Sequence, residues 1–234
     1  MSGPVSRHGF RGQVTLDGPS GTGKSSVARA LAVRLGASYL DTGAMYRAAT
    51  VAVLDAGIEP TDAESVTRSV SAARIDIGTE AGTELVQVDG VDVATRIRGV
   101  EVTRSVSAVS AVPAVRRLLV DRQRALVADA EAIVVEGRDI GTVVLPEATL
   151  KVYLTAAPEI RAERRAGQLG VTDPAEIAAI AADLRRRDDY DSSRADSPLR
   201  PAPDAVVVDS SGLDREAVVD RVLELALTAV GEKA

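Results

Sequence analysis

The eight residues Gly18-Pro19-Ser20-Gly21-Thr22-Gly23-Lys24-Ser25 carry the spacing G-x-x-x-x-G-K-[ST] directly after the apolar run Val14 to Leu16. Glycines let the main chain wrap closely, its N–H groups point at phosphate oxygens, Lys24 supplies a mobile cation, and the Ser25 hydroxyl can reach Mg²⁺. Ser26 continues the cradle into a helix expected over Lys24 to Leu35, whose positive dipole end adds to the attraction. In a chain of this composition a chance match has a probability of roughly 0.3%. The segment reads as a P-loop, built for the phosphates of a nucleotide.

The rest of the composition narrows the chemistry. Among 234 residues there is no cysteine and a single histidine, His8. Thiolate nucleophiles, Cys-ligated zinc, Ser-His-Asp triads and a histidine general base in the core are thereby disfavoured. A net charge of −6 argues against nucleic acid as a partner, because that usually needs a basic face. Met1 to Gly12 has no apolar segment of the signal-peptide kind, and no stretch approaches the length that spans a bilayer. A soluble, cytoplasmic protein is the expectation. Only Lys24, Lys151 and Lys233 are lysines among 28 basic residues, so abundance alone marks no arginine as functional.

The elements that must hold the loop follow from hydrophobic pattern. Apolar, β-rich runs recur at Val14 to Leu16, Ser38 to Leu40, Ala132 to Val135, Leu150 to Leu154 and Ala205 to Val208. Helical patterns lie between them, at Lys24 to Leu35, Ala44 to Ala56, Ala63 to Ala72, Ala114 to Asp129, Pro174 to Asp189 and Asp214 to Val230. Continuous apolar strands alternating with helices predict a parallel sheet covered on both faces. Residues 74 to 99 break the alternation with short strands joined by Gly-containing turns, which predicts a small antiparallel insertion. If Pro158 starts a helix, Arg161, Arg164 and Arg165 share one face of it, and Gly167 and Gly170 would let that segment move.

Which P-loop protein this is depends on residues elsewhere. Guanine-specific switches use Asn-Lys-x-Asp, and the sequence contains no asparagine. The segments Tyr39-Leu40-Asp41-Thr42-Gly43-Ala44-Met45-Tyr46-Arg47, Glu136 to Val144 (EGRDIGTVV) and Arg187 to Arg194 (RDDYDSSR), with Ser107, Pro113, Arg116 and the P-loop, resemble the bacterial cytidylate kinase family in the family's order. The resemblance covers essentially residues 13 to 230. It implies an α/β P-loop kinase fold: a five-stranded parallel sheet flanked by helices, a β-rich monophosphate-binding arm at about 69–103 and a helical lid at about 157–173. On this reading residues 1–12 are a tail before a single domain, 13–234. The implied reaction is transfer of a phosphoryl group from ATP, with Mg²⁺, to CMP or dCMP.

Phosphoryl transfer asks a protein mainly to align donor and acceptor and to neutralise developing charge, which a chain without cysteine can do. Arginine suits the task because its planar fork binds phosphate oxygens bidentately and keeps its charge. The resemblance makes Arg47 and Arg138 the partners of the acceptor phosphate, with Thr42 and Tyr46 beside them; on the donor side the P-loop supplies Lys24, and the shared face of Arg161, Arg164 and Arg165 could close over the ATP phosphates, with Arg164 taken as the catalytic one. It gives cytosine recognition to Asp139 and Ser107 on the amino side and to Arg116 on the N3 and O2 side. Uracil presents the opposite polarity at positions 3 and 4, and unpaired buried polar groups discriminate strongly. Asp191 and Arg194 match the sugar-contacting pair. Ser25 is the expected magnesium ligand. Ser210 and Ser211 either line an adenine loop or cap the last helix. The partners expected are nucleotides alone, with a monomer working by itself. A kinase of UMP, AMP or shikimate, and a nucleotide switch without turnover, are the competing readings. The Ser107, Arg116, Asp139 set disfavours the first, and the missing Asn-Lys-x-Asp element the second.

Overall fold

A computed structural model describes residues 10–194 and 196–231. In chain order the elements are β1 (Gly12–Asp17), α1 (Lys24–Leu35), β2 (Ser38–Asp41), α2 (Thr42–Asp55), α3 (Ala63–Ala72), β3 (Ile75–Ile77), β4 (Val86–Val88) and β5 (Val91–Asp92). There follow α4 (Val100–Ala111), α5 (Pro113–Ala128), β6 (Ala132–Glu136), a π-helical turn (Ile140–Val144), β7 (Leu150–Thr155), α6 (Pro158–Leu169), α7 (Pro174–Ser192), β8 (Val206–Asp209) and α8 (Arg215–Gly231). The described chain divides into two units, one running to Tyr39 and resuming at Glu131, the other Leu40–Ala130.

The first unit is built on a sheet in the order β2-β6-β1-β7-β8. β1 pairs in parallel with β6, Val14 opposite Val134 and Leu16 opposite Glu136, and on its other side with β7, Asp17 opposite Tyr153. Val14, Leu16, Ile133, Val134 and Val135 are fully buried, as strands covered on both faces must be. That explains their uninterrupted apolar sequence. All five expected strands form, each a residue or two different at its ends. Because a parallel sheet presents its strand ends at one edge, Asp17, Glu136 and Thr155 all finish there, and the loops that follow them carry the polar chemistry.

The second unit packs α2 against the antiparallel sheet β3-β4-β5. Ala48, Val51 and Ala52 of α2 bury against Val86 and Val88, and the small side chains let the helix lie close. This hairpin sheet matches the insertion expected over residues 74 to 99. α4 departs from the expected pattern: its valines and serines have weak helix propensity, and burial of Val102, Val106 and Val109 overrides it. α4 ends at Val112, because Pro113 pushes the residue before it into extended backbone and then starts α5 itself. Of the tail expected over residues 1–12, Met1 to Gly9, His8 among them, lie outside the described residues. Phe10 is buried and Gly12 opens β1. Among the described residues no helix is long and apolar enough to cross a membrane.

Candidate active site

The P-loop turns sharply where β1 ends. Gly18 has φ +143°, and a Cβ there would come within 2.0 Å of the Leu154 carbonyl oxygen, so no other residue fits. α1 then begins at Lys24 with no side chain capping its free N–H groups, which leaves them for an anionic ligand. Lys24 is buried, and its ammonium donates to the Pro19 carbonyl oxygen at 2.6 Å. Burial, and then the neighbouring Arg138 charge, lower its pKa to about 7, against the pull of Glu136, Asp17 and Asp188. Ser25 and Ser26 are exposed on the first turn.

Around this loop the first unit gathers an unusual density of cations. Arg138, two residues past the end of β6, donates from Nε to Asp191 at 3.0 Å, from Nη1 to the Gly18 carbonyl at 2.7 Å, and from Nη2 to Ser20 Oγ. Arg194 lies 2.5 Å from the other oxygen of Asp191 and stacks over the Tyr190 ring. Arg138, Asp191 and Arg194, expected in two different roles, therefore form one shared ion-pair cluster. Asp139 is buried beside them in sequence.

The helix expected from Pro158 forms as α6, and its arginines divide. Arg161 donates to the Ser20 carbonyl and pairs with Asp188, which also accepts from the Ser20 N–H at 3.4 Å. Arg164 donates to Thr22 O at 3.2 Å, to Ser210 Oγ at 2.9 Å and O at 2.6 Å, and to Leu213 O at 3.3 Å. It thus ties the P-loop to the loop after β8. Arg165 instead turns to Gln168 on its own helix. Ser210 is buried between Thr22 and Thr155, Ser211 accepts from the Ala157 N–H, and Asp214 caps the last helix by accepting from Ala217 N–H. Neither serine is the cap.

Two carboxylates that the sequence reading left unassigned complete this unit's site. Glu136, the last residue of β6, accepts from Ser25 Oγ at 2.9 Å and from the Tyr39 hydroxyl. Asp17, the last residue of β1, accepts from the backbone N–H groups of Ile140 and Gly141. Burial pushes its carboxyl up to about 6, and those two amides oppose the rise. The signal for both was present: an acid closing an apolar parallel strand sits at the ligand-binding edge.

In the second unit the candidates cluster on three helices. Asp41 caps α2 by accepting from Ala44 N–H at 2.8 Å and holds Arg47, one turn further on, at 3.1 Å. Thr42 and Tyr46 are buried on the same helix. The Arg116 guanidinium, buried in the first turn of α5, lies 5.3 Å from the centre of the Tyr46 ring and donates to the Ser110 carbonyl at 3.3 Å. Ser107, half-buried on α4, accepts at its carbonyl from Ser110 Oγ. The structure thus brings Tyr46 to Arg116 and Arg47 to Asp41 within this unit.

A family model described as cytidylate kinase matches residues 14–228. A protein named cytidylate kinase from Nocardia farcinica is 58% identical over 211 residues, covering 89% of this chain and 90% of that protein. One of the same name from Rhodococcus opacus is 56% identical, covering 90% and 92%. Among solved structures, a gluconokinase from Sinorhizobium meliloti aligns with a TM-score of 0.50 over 96% of this chain and 95% of that one, at 17% identity; likeness at that identity speaks for the fold alone.

Proposed function

The chain belongs to the cytidylate kinase family, and on that premise we propose that it transfers the γ-phosphoryl group of ATP to CMP or dCMP, giving ADP and CDP or dCDP. The observation that carries the reading is the Arg138-Asp139 pair at the end of β6, with Arg138 bonded to the first carbonyl of the P-loop at 2.7 Å. On this reading a phosphate-binding arginine and a base-reading carboxylate follow one another just after β6.

On this reading residues Gly18 to Ser26 cradle the ATP phosphates, and Lys24 and Arg164 neutralise charge on the donor side. Arg138 and Arg47, with Thr42, bind the acceptor phosphate, and transfer then needs alignment rather than a covalent intermediate. Asp139 and Ser107 accept from the cytosine amino group, Arg116 donates to N3 and O2, and Tyr46 supports Arg116 from its ring face. Asp191 and Arg194 meet the sugar. Residues 69–103 act as the monophosphate arm and 157–173 as the lid.

Magnesium suits the oxygen donors of this loop. The Ser25 hydroxyl and the Glu136 carboxylate lie 2.9 Å apart, and Mg²⁺ is commonly held by one or two such groups together with substrate phosphates and water. Among the described residues no set of three acidic or histidine side chains forms a cage, which fits a site completed by the nucleotide. Ser25, with Glu136 beside it, would hold the ion, which would supply neutralisation of phosphate charge. On this reading the chain works as a monomer in the cytoplasm.

A coupled ADP-release assay across CMP, dCMP, UMP, AMP, GMP and shikimate tests the proposal. CMP and dCMP should turn over fastest; faster UMP or AMP turnover refutes the base assignment, and no turnover with any acceptor favours a nucleotide-binding module.

A further inference from the structure

Asp17, the last residue of β1, and Gly18 after it reach across to the segment Arg138 to Gly141 that follows β6. The Gly18 carbonyl oxygen accepts from Arg138 Nη1 at 2.7 Å. Next to it the Asp17 carboxylate, 5% exposed, spends both oxygens on one turn: Oδ1 accepts from the Ile140 N–H at 2.9 Å, Oδ2 from the Gly141 N–H at 2.7 Å. The Ile140 N–H belongs to the peptide group that Asp139 begins. The carbonyl of that same peptide accepts from Val143 N–H at 2.9 Å and Val144 N–H at 3.3 Å, closing the π-helical turn. The peptide group joining Asp139 to Ile140 is therefore held at both its ends, at the carbonyl by the turn's own bonds and at the N–H by Asp17.

The arrangement depends on close approach. A Cβ on Gly141 would stand 3.1 Å from Thr15 Oγ1 and 3.2 Å from Lys151 Cδ, so the glycine lets the turn lie against β1 and β7 within reach of a short aspartate. π-helical turns are rare and gather at functional sites. Keeping a carboxylate charged at this depth is costly, as its raised pKa records, and its two oxygens serve the two amides separately.

We propose that Asp17 is a positioning residue for base selection: by anchoring the Ile140 and Gly141 amides to the root of the P-loop, it sets the Asp139 carboxylate for cytosine and against uracil. The inference rests on the kinase reading above, in which Asp139 reads the base. Asp17 touches neither substrate and acts through Asp139.

The test measures kcat/KM for CMP and UMP, and the Kd for ATP, in the wild type, Asp17→Asn, Asp17→Ser, Asp139→Ala and the Asp17→Asn, Asp139→Ala double variant. In Asp17→Asn an amide N–H₂ replaces one acceptor opposite a backbone N–H, and in Asp17→Ser at most one bond survives. Either change should narrow the CMP to UMP ratio at least about tenfold with the ATP Kd within about threefold. In the Asp139→Ala background, Asp17→Asn should leave the ratio unchanged, because residues acting as a unit are non-additive. An unchanged ratio in a folded Asp17 variant overturns the proposal, as does an additive double variant. Amide hydrogen exchange on the wild type adds an arm that needs no variant: Ile140 and Gly141 exchanging as fast as exposed loop amides also overturns it. A wild type that does not prefer CMP to UMP would instead refute the base assignment of the proposed function, on which this inference rests.

Discussion

ATP binding should draw a proton from solvent, and the amount follows from Lys24. With its pKa lowered to about 7 by burial and by Arg138, the nucleotide-free side chain is about one-tenth protonated at pH 8. Phosphate oxygens against Nζ favour the ammonium and return its pKa towards the ordinary lysine range, so binding at pH 8 should take up about 0.9 proton. By linkage the apparent ATP affinity then weakens by up to about tenfold, or 1.4 kcal/mol, for each pH unit above 7. The stability of the nucleotide-free chain moves in the opposite direction. A depressed lysine pKa means the native chain binds fewer protons than the unfolded chain between about 7 and 10.5, so stability without nucleotide gains from this group as pH rises through that window. Calorimetric titration of MgATP without acceptor, in two pH 8 buffers of widely different ionisation enthalpy, counts the protons. Asp17, raised only to about 6, is fully charged at pH 8 and contributes little. Uptake below about 0.3 proton, or equal uptake in Lys24→Met, would refute the account of a desolvated lysine recharged by phosphate.

Two substitutions separate the acceptor and donor sides. Arg116→Met removes a buried guanidinium stacked on Tyr46; losing its charged hydrogen bonds to the base, worth about 1.5–3 kcal/mol, should lower kcat/KM for CMP by about 10- to 150-fold with the KM for ATP within about twofold, and a matching rise in the ATP KM would contradict a base-reading role. Arg164→Ala releases the bonds to Thr22, Ser210 and Leu213 and should raise the KM for ATP about tenfold or more while leaving that for CMP unchanged. Steady-state kinetics with each substrate varied decides both.

The parts of this protein that depend on neighbours in sequence were readable without coordinates. The P-loop is contiguous and works through its backbone, so Gly18, Lys24 and Ser25 announce it. The five sheet strands were visible because burial on both faces leaves an apolar run, and α1, α3 and α7 because their periodicity and starts are local. Arg47 and Arg116 needed the family resemblance, since among 28 basic and 34 acidic residues nothing local distinguishes them, whereas Arg138-Asp139 stands out by following an apolar parallel strand. What only the tertiary structure decided is how the charges are spent. Ser25 meets Glu136 across 111 positions and Ile140 meets Asp17 across 123, distances at which a single sequence shows no pattern. Ile140-Gly141-Thr142-Val143-Val144 carries the composition of a strand, and it coils into a π-helical turn because a buried carboxylate from another strand satisfies its first two amides. A hydrogen bond rewards two groups brought together by the fold whatever their separation along the chain, so the sequence by itself determines the cradle and the sheet that bears it, and the packed chain selects which acids and arginines complete the site.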